Sequence, residues 1–141
     1  MKRGQMKISF GMIFSIFLIV AFLAFAFYAI KNFIGLQGDV QLKQLSEDLQ
    51  NDVNRVWKST QASEEQVYSV PKKVTAICFI EDDFANLVIH LDNGEITKTI
   101  EHIDLIKTLG EENRLCFEPT DQKLTVVLKK SYGENLVTIS K

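Results

Sequence analysis

Between Lys7 and Lys31 lie 23 consecutive residues, Ile8 to Ile30, without a single charged side chain. As a helix this run would be roughly 35 Å long, enough to cross a hydrocarbon core of about 30 Å. A core helix of a soluble protein would show a polar face over that length, and this run has none. Six of the ten phenylalanines fall in it: Phe10, Phe14, Phe17, Phe22, Phe25 and Phe27. The run predicts a transmembrane helix over residues 8–30. A cleaved secretory signal is the competing reading, but its apolar region should extend for only about 7 to 15 residues. Ala24 and Ala26 sit inside the run as sites for an internal cut, whereas its end, Tyr28-Ala29-Ile30-Lys31-Asn32-Phe33, does not suit one.

Flanking charge predicts the orientation. Lys2, Arg3 and Lys7 precede the run, whereas only Lys31 follows it before Lys43. The more basic flank stays in the cytoplasm, so residues 1–7 form a cytoplasmic leader and residues 36–141 lie outside. That outer part carries 12 Lys and Arg against 18 Asp and Glu. An acidic surface argues against nucleic-acid binding and against adsorption to anionic lipid headgroups. The 141 residues then make one extracytoplasmic domain plus its single-pass anchor.

Gly35 and Gly38 weaken the helix just after the anchor, and Asp39 is placed to cap a new one. Leu42, Leu45, Leu49, Val53 and Val56 recur every three or four residues among polar neighbours, which predicts an amphipathic helix ending near Thr60. Residues 31–61 are thus a glycine-containing connector and amphipathic helix. Ser59 to Gln66 is polar and lacks apolar periodicity, so it reads as a linker. A β-rich domain follows over residues 67–141. Val74 to Ile80 reads as a central strand, and Leu87 to Leu91 and Ile96 to Ile100 read as a hairpin turning at Asn93-Gly94 in type I′ geometry. Residues 101–109 suggest a short helix with Ile103, Ile106 and Leu109 on one side, ended by Gly110. Leu115 to Phe117, Leu124 to Leu128 and Leu136 to Ile139 supply further strands. The expected fold is α+β: a transmembrane helix, an amphipathic helix, and a small, mostly antiparallel sheet of five or six strands against which that helix packs.

Cys78 and Cys116 both fall on the outer side, where an even count in an oxidising compartment suggests a disulfide. Two unpaired, buried cysteines are the alternative. Leu115 and Phe117 define the apolar face of their strand, so Cys116 points the other way with Arg114 and Glu118. Pairing requires Cys78 to reach that same side, which its all-apolar strand neither supports nor forbids.

Chemistry-bearing motifs are sparse. His90 alternates with Ile89 and Leu91 and reads as a solvated strand residue. His102 and Asp104, beside Glu101, form a His-x-Asp pair that alone is weak support for a metal site or an oriented base. Glu81-Asp82-Asp83 reads as a solvated turn, without the spaced oxygen ligands of a calcium loop. Trp57 and Tyr68 are candidate binding aromatics, with packing on the sheet the plainer role for Trp57. The sequence has no nucleophile turn, phosphate loop or zinc-helix motif. It therefore predicts no catalytic residue, no metal site, no cofactor and no enzyme.

The tetrapeptide Lys2-Arg3-Gly4-Gln5, followed after Met6 and Lys7 by the apolar run, resembles the class III signal peptide of archaeal type IV pilin-like proteins. The layout of apolar helix, glycines, amphipathic helix and β-rich domain is similar too. The resemblance implies a peptidase cut between Gly4 and Gln5, with the apolar segment surviving as an anchor that later packs in a filament core. It implies a non-catalytic minor or accessory structural subunit, partnered by the membrane and by pilin-like subunits through the transmembrane helix. The alternative is a stand-alone anchored surface domain that binds a protein or ligand.

Overall fold

The computed structural model describes residues 9–141. The helix α1 spans Phe10–Lys58 and includes Gly35 and Gly38. By its contacts the chain divides into two compact units, residues 1–37 and Gly38–Lys141.

In the first unit, α1 is long and apolar enough to cross a membrane. Its large side chains are open on every side: Phe14, Phe17, Phe22 and Phe27 are 55%, 71%, 71% and 73% exposed. An apolar helix with no covered stripe has no folding partner within its own unit.

The second unit begins where the pattern changes. Leu42, Leu45, Leu49, Val53 and Val56 are all buried, and the helix closes with Ser59 turning back onto the Val56 carbonyl. Seven strands follow in two antiparallel sheets: β1 Ala62–Ser69, β2 Val74–Ile80, β3 Leu87–Leu91, β4 Gly94–Lys98, β5 Arg114–Phe117, β6 Lys123–Lys130 and β7 Thr138–Ser140. One sheet has the order β1-β6-β7, the other β4-β3-β2-β5. The single sheet expected from the sequence is therefore two, because the chain leaves one at Phe117 and enters the other at Lys123. The inner faces meet in one core with the α1 stripe: Leu124, Val126, Leu128 and Ile139 from the first sheet, and Ile77, Phe79, Leu87, Ile89 and Phe117 from the second.

Strand β1 occupies most of the stretch read as a linker. Of its inward positions, Ala62, Glu64, Gln66 and Tyr68, the middle two are polar, so no sustained apolar alternation marks it. Pairing with β6 over eight residues holds it instead. The inward polar groups are satisfied at the sheet rim: Arg55 donates to Glu64 at 2.6 Å and to Asp52 at 2.7 Å, and the Tyr68 hydroxyl donates to Asp52 at 2.7 Å.

Three further details differ from the expectation. The β3–β4 turn is Asp92-Asn93, with Gly94 already paired to Leu91, and neither turn residue has positive φ. Successive positive φ angles occur instead at Asp121 (50°) and Gln122 (60°), between the bridged Thr120 and Lys123. That is type I′ geometry, reached without glycine. The second helix, α2, covers only Leu105–Leu109, capped by Asp104 and Gly110. Ile103 thus lies outside it, bridged to Val137, and Ile106 is 81% exposed rather than on the buried side.

Candidate functional site

Sheet β4-β3-β2-β5 has a second face, turned away from the core, and the polar chemistry of the fold collects there. A bulge between Val74 and Ala76 shifts the alternation of β2 by one residue. It sends Val74 and Ile77 inward and leaves Ala76, Cys78 and Ile80 on the outer side. Cys78 pairs directly across from Cys116 of β5, and the two form a disulfide. The face that the sequence left open for Cys78 is settled by that bulge.

Arg114 stands two residues before Cys116 and shares its face. Its Nε lies 3.0 Å from the Cys116 Sγ and its Nη2 lies 3.5 Å from the Cys78 Sγ. Nη2 is also 2.9 Å from the His90 Nε2. A guanidinium only donates, so Nε2 accepts and the ring hydrogen sits on Nδ1, 3.6 Å from Glu95. The result is a row across four strands: Glu95, His90, Arg114, then both sulfurs. A hollow of about 190 Å³ lined by Ile80, Val88, His90, Glu95 and Arg114 opens over it. Cys116 also lines a larger cleft of about 820 Å³, together with Glu118, Thr120, Lys123, Thr125 and Lys141. The Lys141 Nζ lies 5.9 Å from the centre of the Phe117 ring.

The other candidate residues do not converge. His102 stacks on Trp57 with ring centroids 3.8 Å apart, and its Nδ1 is 3.0 Å from the Asn54 Oδ1. Asp104 accepts from the Lys107 amide at 3.0 Å as the α2 cap, so the His-x-Asp pair is divided between two structural tasks. The Glu101 amide donates to Gln50 at 2.7 Å, and Trp57 donates its indole N–H to the Asn135 carbonyl at 2.9 Å. Trp57 packs against the core and Tyr68 is buried, so neither offers a free aromatic face. Burial pushes the Tyr68 hydroxyl well above its ordinary range, and the bond to Asp52 adds to the shift. Glu81, Asp82 and Asp83 lie in an exposed turn. Among the described residues no three His, Cys, Asp or Glu side chains are placed to hold a metal ion. Gly4 and Gln5, the expected cleavage residues, lie outside the described residues.

Arg114 is the residue that sequence reasoning undervalued. Its face was legible from its spacing to Cys116, but its reach to a sulfur on a different strand depends on the Cys78–Cys116 register. No protein-family model, no curated protein and no solved structure matches the chain.

Proposed function

We propose that the chain is a non-catalytic, membrane-anchored extracytoplasmic protein that works as a pilin-like structural subunit, minor or accessory to an assembly. The observation that carries this reading is the exposure of the apolar half of α1, whose phenylalanines meet no other part of their own unit. Lipid covers such a surface first, and in an assembly identical helices replace lipid by van der Waals packing. The basic leader, Lys2, Arg3 and Lys7, keeps the N-terminus in the cytoplasm and places residues 38–141 outside. The Gly4-Gln5 junction is the processing point, and the acidic β-rich unit presents the outer surface.

The test is the intact mass and N-terminal sequence of the full-length protein, recovered from membranes of a host with a class III peptidase. A chain beginning at Gln5, with residues 38–141 open to protease from outside, is the expected result. A chain still beginning at Met1 would sink the pilin-like reading and leave an anchored surface domain that binds a partner.

A further inference from the structure

We propose that Cys78–Cys116 is an exchange-competent disulfide, opened by an external dithiol entering at Cys116, with the Arg114 guanidinium receiving the sulfur that leaves. A disulfide kept only as a staple needs no cation beside it. Here one guanidinium contacts both sulfurs, at 3.0 and 3.5 Å. Among the described residues no carboxylate lies within ion-pair distance of Arg114, although the second unit is acidic. Its charge is therefore left for sulfur. His90, itself beside Glu95, accepts from Nη2 and holds the fork in place.

A neutral disulfide sulfur is a weak acceptor, but a thiolate beside a guanidinium gains a full charge–charge interaction. Arg114 consequently favours the opened state over the closed one, and it improves the leaving group. Access is asymmetric in the direction the chemistry needs. Cys78 is fully buried, whereas Cys116 is partly exposed and lines the 820 Å³ cleft, whose charged lining is Lys123 and Lys141 against the single carboxylate of Glu118.

The step is balanced as ordinary thiol–disulfide exchange. One thiolate of the dithiol attacks the Cys116 Sγ, a new S–S bond forms, and the Cys78–Cys116 bond breaks. The electron pair leaves on the Cys78 Sγ, against Nη2 of Arg114. The second thiol of the reagent then loses its proton and closes onto the first sulfur, releasing Cys116. The dithiol is oxidised to its cyclic disulfide, and the protein gains two electrons and two protons.

Dithiothreitol is the probe, used on the full-length protein in detergent at pH 7 without denaturant. The wild-type disulfide is expected to open while the native circular dichroism is kept; opening only together with unfolding overturns the proposal. In Arg114→Gln the equilibrium constant for reduction should fall about tenfold, equivalent to about 30 mV for two electrons. Arg114→Lys keeps the charge and should stay within threefold of the wild type. A change below threefold in Arg114→Gln overturns the assignment. Alkylation of the reduced protein against pH gives a readout that packing alone would not move. Its midpoint should lie below about 8.5, the value of a free thiol, and rise in Arg114→Gln; equal midpoints in the two proteins overturn the role of Arg114. Acid-trapped mixed disulfide with a monothiol should map to Cys116, and an adduct on Cys78 overturns the order of attack.

Discussion

Leu49 is 2% exposed and sits in the middle of the α1 stripe, in one buried cluster with residues of both sheets. Leu49→Ala should lower unfolding stability by about 2 to 5 kcal/mol, since truncation removes buried area and leaves a cavity. Chemical denaturation of the full-length protein in detergent measures it, and a loss under 1 kcal/mol would contradict the assigned core. Tyr68 tests the rim: its hydroxyl donates to Asp52, which Arg55 also holds. Tyr68→Phe keeps the ring and removes one hydrogen bond to a charged acceptor, so a loss of about 1 to 2 kcal/mol is expected in the same assay. Gln122 offers the opposite sign. Its φ of 60° in the Thr120–Lys123 turn is a conformation that glycine adopts without Cβ crowding. Gln122→Gly creates the Asp-Gly pair favoured in type I′ turns and should raise stability by roughly 0.5 kcal/mol, while Gln122→Val should lower it by at least about 1.

At the level of elements, apolar periodicity decided what could be read. The α1 stripe, β2, β3, β5 and β6 each carry an apolar signal, periodic or continuous, and each stands where that signal predicts. Strand β1 carries no such signal, because Glu64 and Gln66 stand between its two inward apolar positions, Ala62 and Tyr68, and its stability comes from β6, far along the chain. Ile106 turns outward because Asp104 starts the helix later than the apolar spacing of residues 101–109 implied. For the site, the outward side of Cys116 was legible, whereas the side of Cys78 rested on a bulge that an all-apolar strand does not advertise. Reduction without unfolding frees β5, an edge strand of four residues, from its covalent tie to β2. In the chain-entropy treatment that tie is worth about 4 kcal/mol, and calorimetry with and without dithiothreitol should show a drop of up to that size. Two exposed ion pairs add a modest acid sensitivity. Arg55 holds the Glu64 carboxylate below its ordinary range by a hydrogen bond, and Lys107, helped by the Ser131 amide, does the same for Glu134. The unfolded chain then takes up protons first, so stability should be level from neutral pH down to about 5 and decline as pH falls through the carboxylate range. A denaturation midpoint that instead rises on acidification would contradict both pairings.

For the molecule as a whole, the division at Gly38 gives its two units different demands. The first has apolar surface and nothing to bury it; the second buries its own and keeps charge outside. Removing residues 1–37 should therefore abolish membrane retention, as judged by recovery in the pellet after alkaline extraction. The strand order of the second unit has another consequence. Among the described residues strand β1, near the start of the unit, pairs only with β6, whose residues 123 to 130 come far later in the chain. On a ribosome the α1 stripe and β1 therefore emerge long before their cover has been made, and folding cannot track synthesis. The unit has to wait, apolar stripe bare, until β6 has followed. That interval is when a holding chaperone would be most needed.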